Sequence, residues 1–313
     1  MPTLAFLALA LAAQDATFRA TVPLVVAPTT VTDRAGHYIN GLELRDFALY
    51  ADGRSQPIHV DALYQPISLV VAIQTNHYAE AALAKVRKIG GMIEPLVTGN
   101  EGECAVLGFS DEVRTLLPFS SDGRRIKWAF AGVRPDGDAA HMFDAAGEAV
   151  RLLSDRGPHR RRVLLLIGET KDRSSQSHLE QVLSSAQRHN VTVYAATYSA
   201  YATPFTARPE DYHPGGTGLD LIALFREVGR LGKENCTEAL VRYTGGRRLS
   251  FLKQARLETV IAAIGEELHS QYTLSFTPSS PIDHAYHEIQ VRVAARPAAI
   301  VRTRPGYWHS DAP

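Results

Sequence analysis

A short run of apolar residues constrains the fold of this chain more than any other feature. Leu69 to Ile73 is continuously apolar, which is typical of a strand that is buried on both faces. The run ends in polar residues, and from Tyr78 apolar residues recur at steps of three and four, which predicts a helix. A buried strand, a polar loop and a helix form the first unit of an open α/β sheet. Ligands bind such sheets outside the carboxyl ends of the strands, so we expect a site between Gln74 and Tyr78.

The same alternation continues along the chain and predicts a parallel sheet that is covered by helices on both faces. Buried strands are predicted at residues 104–109, 163–167 and 191–195, with a short partner strand at 113–117. The predicted helices cover residues 122–130, 142–153, 179–188, 219–231, 236–243 and 257–268. The predicted fold class is therefore α/β, with a doubly wound, mainly parallel sheet.

Both ends of the chain carry β-type patterns. Near the amino end, residues 47–50 and 57–60 flank a turn at 51–53 and predict a hairpin. Near the carboxyl end, residues 271–276 and 289–293 alternate with a period of two, and 300–303 adds another strand. We expect these segments to pair into one accessory β layer, with the α/β domain inserted between them. The predicted division is a signal-like leader at 1–13, a β module at 17–66, the α/β domain at 67–270 and carboxyl-terminal strands at 271–313.

Several framework motifs resemble those of von Willebrand factor A (VWFA) domain proteins. The resemblance is closer to the secreted VWFA-related proteins of acidobacteria and covers essentially the whole chain after the leader. Besides the strand and loop from Ser68 to Tyr78, it rests on Val31–Gly36, Asp46–Phe47, Gln271–Tyr272, His287 and Arg302–Tyr307. The resemblance implies a von Willebrand A-like fold that works in protein–protein recognition.

The resemblance also implies a position for Mg²⁺. Family members hold this ion with Asp-x-Ser-x-Ser on the first loop and with a Thr and an Asp from two later loops. In this chain the corresponding positions carry Gln74, Asn76, Tyr78, Ala140 and Glu169. Mg²⁺ prefers oxygen ligands in octahedral geometry, usually with one or two carboxylates. Ala140 has no ligand atom and only Glu169 is a carboxylate, so we predict a degenerate metal site without bound Mg²⁺ and no cofactor.

The loops at this edge are predicted to form a rim that contacts a partner protein directly. Besides the five degenerate positions, the predicted contacts are His77, Asp138, His141, Lys171, Arg173, Tyr201 and Phe205. Tyr201 and Phe205 belong to a long loop at 200–218, and loops of that length are usually functional or mobile. The alternative interpretation is that these two aromatic side chains pack the loop against the rest of the protein.

Charge and the amino-terminal residues limit the environment and the partners. The 33 basic and 33 acidic residues cancel, which argues against a nucleic-acid or membrane-surface binder. Residues 3–13 are apolar and small, too short to span a bilayer but typical of a secretory signal, although no Lys or Arg lies near Met1. We therefore expect a secreted or periplasmic protein whose mature chain is not inserted in a membrane.

The two cysteines allow two interpretations. Cys104 and Cys236 could be buried free thiols, or they could pair in an exported protein if their Cα atoms come close enough. Their spacing is not that of a zinc site or of a redox motif.

Motifs of known enzyme classes are missing from the sequence. It contains no Gly-x-Ser-x-Gly, no phosphate-binding Gly-x-x-x-x-Gly-Lys-Ser/Thr and no His-Glu-x-x-His. Non-catalytic recognition of a protein is therefore the leading prediction. One alternative is a zinc-dependent hydrolase that uses His77, His141 and Glu169 as ligands. The other is a purely structural envelope subunit.

Overall fold

The computed structural model describes residues 24–61, 65–157, 159–198, 236–251, 254–279, 283 and 285–308. Its α-helices are α1 (Glu80–Ile89), α2 (Gly123–Ala131), α3 (Met142–Ser154), α4 (Leu179–Arg188), α5 (Cys236–Thr244) and α6 (Gln254–Ser270). The first strands are β1 (Val25–Thr32), β2 (Phe47–Ala51), β3 (Arg54–Gln56), β4 (His59–Asp61), β5 (Ile67–Gln74), β6 (Glu103–Phe109) and β7 (Val113–Ser120). The others are β8 (Arg161–Gly168), β9 (Val191–Thr197), β10 (Arg248–Ser250), β11 (Tyr272–Phe276), β12 (Tyr286–Val293), β13 (Ile300–Arg302) and β14 (Gly306–Trp308).

The centre of the molecule is a six-stranded sheet with the order β10-β9-β8-β5-β6-β7. Its neighbouring strands are parallel except β7, which runs antiparallel to β6 at one edge. All residues of β5 are buried, because this strand is central and helices cover both faces. Val70 and Ala72 face the core formed with α3, α4 and α5, whereas Leu69, Val71 and Ile73 face the core formed with α1, α2 and α6. The predicted α/β class with a mainly parallel sheet is confirmed.

The strand order reverses at β5. From β5 the chain moves outward through β6 to β7, and it then returns to the other side of β5 to add β8, β9 and β10. A crevice opens outside the carboxyl ends of the strands at such a reversal. The loops that follow β5 and β8 therefore meet at one edge of the sheet.

The periodic helix predictions hold, with small shifts at the boundaries. The helix predicted from Tyr78 begins as a 3₁₀ turn at His77–Ala79 and continues as α1, which buries Leu83 and Val86. The side chain of Asp122 caps α2 by accepting hydrogen bonds from two backbone N–H groups. The helix predicted at 219–231 lies outside the described residues. No helix in the described part of the chain is long and apolar enough to cross a membrane.

The strands at the two ends of the chain form two sheets, so the predicted accessory layer consists of two sheets rather than one. One has the order β13-β1-β11-β4 and the other has the order β14-β12-β2-β3. Each sheet therefore combines strands from the amino-terminal and carboxyl-terminal parts of the chain. The two sheets share an apolar core that includes Leu49, Leu274, Phe276 and Ile289.

The predicted hairpin forms, but its second strand is β3, which ends before the predicted range of 57–60 begins. β2 pairs with β3 through a turn at Asp52 and Gly53. Pro57 has no N–H to donate to the ladder, so the hairpin ends before it. The next residues form β4, which pairs with β11 in the other sheet. The short strand β10 was not predicted, because its three residues carry no apolar run.

A buried group of charges joins the terminal sheets to the amino edge of the central sheet. Glu267 of α6 is 1% exposed, and its carboxylate accepts hydrogen bonds from Arg302 at 2.5 Å and from the Tyr194 hydroxyl at 2.9 Å. Beside it, Arg161 donates to the carbonyl of Leu268 and, at 2.6 Å, to the side chain of Gln271. The Glu267 carboxylate is buried whereas the Arg302 side chain is 35% exposed, so water screens this pair only in part.

Removing the buried carboxylate of this ion pair should destabilise the fold. We expect Glu267→Leu to lower the free energy of unfolding by about 1–3 kcal/mol, because it leaves the partly exposed Arg302 guanidinium and the buried Tyr194 hydroxyl without their acceptor. Adding Arg302→Leu should restore part of the loss. The matched control is Glu266→Leu at the neighbouring, exposed position, for which we expect a change within about 0.5 kcal/mol. Urea denaturation measures all of these, and equal effects at the two positions would contradict the assignment.

His287 joins β12 to the β2–β3 turn. Its ring nitrogens lie 2.6 Å from an Asp52 oxygen and 3.0 Å from an Asp283 oxygen, and its ring stacks on Tyr307. Burial alone would lower the pKa of His287, but hydrogen bonds to the Asp283 and Asp52 carboxylates outweigh burial and raise it.

This raised pKa gives stability a pH dependence of defined sign. The protonated His287 is favoured in the folded state, so its stabilisation is complete below the unfolded pKa of about 6.5 and is lost as pH rises through the folded value. We expect the stability difference between the wild type and His287→Gln to be largest near pH 6 and to shrink toward pH 9. Urea denaturation across this range tests it, with the exposed His269→Gln as control. A difference that grows with pH would contradict the assignment.

Candidate functional site

Three loops meet at the carboxyl edge of the central sheet, and we call them together the rim. The first loop (75–79) follows β5, the second (132–141) precedes α3, and the third (169–178) follows β8. Backbone hydrogen bonds fasten the first loop to the second: Asp136 N–H donates to the Thr75 carbonyl at 2.7 Å, and His77 N–H donates to the Gly137 carbonyl at 3.0 Å. The rim therefore lies where the reversal of strand order predicts a site.

Two buried amides connect all three loops, and we call them the amide relay. The Gln74 carbonyl oxygen accepts the Glu169 backbone N–H at 2.8 Å, and its NH₂ group donates to the Asn76 side-chain oxygen at 3.0 Å. The Asn76 NH₂ group donates in turn to the Asp138 carbonyl at 3.3 Å. Gln74 and Asn76 are 2% and 0% exposed. The expectation that Asn76 contacts a partner directly is therefore wrong, because this side chain lies inside the rim.

Asp111 braces the second loop. Its carboxylate accepts the backbone N–H groups of Ala139 at 2.7 Å and of Asp138 at 3.1 Å. These hydrogen bonds lower the pKa of Asp111. Gly137 turns the chain toward this carboxylate with a φ of +73°, and a Cβ there would lie 2.5 Å from an Asp111 oxygen. The loop therefore requires glycine at this position.

Two further aspartates brace the third loop against the start of α3. The Asp172 carboxylate accepts the Phe143 backbone N–H at 3.0 Å and the Ser175 hydroxyl at 2.6 Å. The Asp144 carboxylate accepts the backbone N–H groups of residues 176 and 177 at 3.0 and 2.8 Å. A carboxylate of the loop therefore accepts from the helix, and a carboxylate of the helix accepts from the loop.

Arg173 places a positive charge in the rim. Its backbone N–H donates to the Ala140 carbonyl at 2.9 Å, and its guanidinium donates to the Glu169 carboxylate at 3.2 Å. The same guanidinium lies 5.7 Å from the centre of the Tyr78 ring, within the range of a cation–π contact. Tyr78 itself is 54% exposed. The one carboxylate at the degenerate positions is thus paired with a protein cation.

These residues do not fit Mg²⁺. The side-chain oxygens of Gln74 and Asn76 are buried and accept protein hydrogen bonds, and the Glu169 carboxylate accepts one from Arg173. Ala140 offers no ligand atom. A magnesium site needs several oxygens directed at one point, which this arrangement does not supply.

The three residues of the alternative zinc site do not lie close together either. Within the described ranges, no three His, Cys, Asp or Glu side chains lie close enough together to hold a metal ion, and this covers His77, His141 and Glu169. The His141 ring lies 3.9 Å from an Asp144 oxygen, on the side of α3, and Glu169 is paired with Arg173. The geometry therefore gives no support to a zinc hydrolase.

The other predicted contacts differ in their exposure. His77, Asp138 and Lys171 are exposed, whereas His141 and Arg173 are partly buried. Tyr201 and Phe205 lie outside the described residues. Cys104 is a free, buried thiol whose pKa is raised by burial, and the side chain of Cys236 lies outside the description.

Sequence reasoning missed the aspartate braces and Tyr198. Asp111 occupies a hairpin turn, and Asp172 lies three residues before Ser175, a pattern that favours side-chain hydrogen bonds to nearby backbone. These patterns could have indicated the braces. Tyr198 follows β9 at the same edge, packs on Phe251 and has a buried hydroxyl, and burial together with the Glu169 charge raises its pKa. No pattern in the sequence indicates this environment.

Comparison with known proteins gives solved structures of a similar kind at low identity. An aerotolerance-related membrane protein from Bacteroides fragilis is 14% identical, with a TM-score of 0.47 over 65% of this chain and 98% of the other. BatB from Bacteroides thetaiotaomicron, a conserved hypothetical protein, is 13% identical, with the same TM-score and coverage. The vWF domain of the type V pili tip protein Mfa5 from Porphyromonas gingivalis is 13% identical, with a TM-score of 0.31 over 36% of this chain and 40% of the other. No family profile and no curated protein matches the chain.

A methyl group at Gly168 should disturb the amide relay. A Cβ there would lie 2.8 Å from the Gln74 side-chain oxygen and 3.1 Å from its Cβ, so we expect Gly168→Ala to destabilise by about 1–3 kcal/mol through overpacking. Hydrogen exchange at the Glu169 amide should also accelerate, because its acceptor is displaced. The matched control is Gly157→Ala, where a Cβ meets nothing within 4 Å. Equal unfolding midpoints for the two variants would show that the relay is not tightly packed.

Proposed function

We propose that this chain is a von Willebrand A-like, non-catalytic protein that recognises a protein partner through its rim, without bound Mg²⁺. The observation that carries the proposal is the direct bracing of all three loops by the amide relay and by Asp111, Asp144 and Asp172. A surface that is fixed before binding loses less conformational entropy when a partner docks. Protein hydrogen bonds thus supply the order that an ion would otherwise give to these loops.

The exposed side chains of the rim suit a protein partner. Tyr78 presents an aromatic ring that Arg173 supports from one side, and tyrosine and arginine are enriched among residues that dominate binding energy. His77, Lys171 and Asp138 add exposed polar groups around this ring. Such an aromatic centre with a polar surround is the usual anatomy of a protein–protein contact.

The cellular setting and the division of the chain belong to the same proposal. The signal-like residues 3–13 favour a secreted or periplasmic protein. The balance of 33 basic and 33 acidic residues favours a protein partner over nucleic acid. Residues 67–270 would form the recognition domain, and the strands before and after it would form its β support.

Partner capture with matched variants tests the proposal. Wild type, a rim variant (His77→Ala, Tyr78→Ala, Lys171→Ala) and a control variant (Lys127→Ala, Trp128→Ala) are immobilised and exposed to envelope extract. The control removes an exposed aromatic and an exposed lysine from α2. We expect the same partner on wild type and control, in Mg²⁺ and in chelator, and at least about tenfold less on the rim variant, which corresponds to about 1.4 kcal/mol.

Quantitative mass spectrometry of the captured proteins gives the readout. Equal capture by the rim variant would reject the rim as the recognition surface. Loss of capture in chelator, restored by Mg²⁺, would reject recognition without a metal ion.

A further inference from the structure

Arg304 is a buried arginine whose charge has no acceptor. It is 3% exposed, and its Nε has no hydrogen-bond partner. No oxygen of the described residues accepts a hydrogen bond from this Nε, and no carboxylate among them shifts the pKa of the group. Burial lowers the pKa of Arg304 to about 10, so the group still carries its charge at neutral pH.

Three partly buried arginines of the described chain have acceptors. Arg302 pairs with Glu267 at 2.5 Å. Arg161 donates to a backbone carbonyl and to a glutamine oxygen, and Arg162 donates to two backbone carbonyls at 2.8 and 2.6 Å. The Nε of Arg156 and of Arg162 also lacks a partner, but Arg156 pairs with Glu103 and Arg162 donates through its other nitrogens, so Arg304 differs from both.

The groups around Arg304 are aromatic and neutral. Its charge interacts with the phenols of Tyr286 and Tyr307, whose pKa values burial raises, to about 12 for Tyr307. The Tyr286 hydroxyl is also buried without a partner. A Cβ at Gly306 would lie 2.5 Å from the ring carbon that bears this hydroxyl, so the hydroxyl lies beside the chain that follows Arg304. Both unpartnered donors thus belong to one region.

This region lies at the amino edge of the central sheet, away from the rim. A Cβ at Gly245, just before β10, would lie 3.2 Å from the Arg304 backbone nitrogen. A second guanidinium, that of Arg242 on α5, also acts on Tyr286 and adds positive potential. Among the acidic groups of the described residues, the carboxylate of Glu288 acts on Tyr286, but none acts on Arg304.

A buried cation in this setting calls for an anion. Buried charges in proteins are paired or fully hydrogen-bonded, because an unpaired charge in the interior is strongly unfavourable. A water molecule could accept a hydrogen bond from Nε, but it would not balance the charge. The planar guanidinium fork matches two oxygens of a carboxylate or a phosphate, and a phenol hydroxyl donates to a third position.

We infer that Arg304 and the Tyr286 hydroxyl form a binding site for a small oxyanion, a carboxylate or a phosphate, at the amino edge of the central sheet. The site is independent of the rim. It uses the Arg302–Tyr307 segment, which the proposed recognition function does not use.

Thermal unfolding of the full chain tests the site. Sodium phosphate and sodium acetate are titrated separately against sodium chloride at matched ionic strength. We expect at least one of the two oxyanions to raise Tm by several degrees and to saturate, because a ligand that binds only the folded state stabilises it. The stronger response distinguishes a phosphate from a carboxylate ligand. The absence of a saturable rise with both anions would overturn the inference.

Variants assign the response to these residues. Arg304→Met should abolish it, whereas Arg296→Met, which removes the same charge from an exposed position, should keep it. Tyr286→Phe removes one oxygen and should raise the half-saturating concentration about 2- to 10-fold. A full response in Arg304→Met would overturn the inference. If Arg304→Met does not fold, Tyr286→Phe decides: an unchanged half-saturating concentration overturns the site.

Discussion

The burial of β5 between two helical layers is the constraint on which the rest of this structure depends. Every residue of the strand is buried, and apolar burial contributes about 25 cal/mol per Å² to folding. Gln74 is the last residue of this strand, so its side chain begins inside the protein. An ionised carboxylate at this position would need a cation beside it. A neutral amide can instead be satisfied by Glu169 N–H and Asn76, which is the arrangement that the loops have adopted.

The elements that could be predicted are those with a local signal. Continuous apolar runs revealed the central strands, and three- and four-residue periodicity revealed the helices, because one stretch of sequence contains the whole pattern. The two terminal sheets depend instead on pairs such as Val25 with Phe276, whose partners are far apart in sequence. The loops of the site could be located by strand order, but the burial of Asn76 and the pairing of Glu169 with Arg173 could not. Those contacts arise only when separate loops approach each other.

Positive charge has a carboxylate partner in the rim but not at the amino edge. In the rim, Arg173 has a carboxylate on one side and an aromatic ring on the other, and part of it remains open to solvent. At the amino edge, Arg304 is 3% exposed and has no carboxylate partner among the described residues. Arg173 is thus paired with a carboxylate, whereas Arg304 is not. The difference lies in the surroundings, which single-residue patterns do not encode.

The interleaving of the two chain ends in the terminal sheets also affects how the protein is made. β1 pairs with β11 and β13, and β2 pairs with β12, so these strands are synthesised long before their partners. The α/β part has its partners within its own segment and can assemble earlier. Contacts over such long separations form slowly. Until β11 and β12 have been synthesised, β1 and β2 therefore expose unpaired edges, and a chaperone that shields extended segments would protect the nascent chain from aggregation.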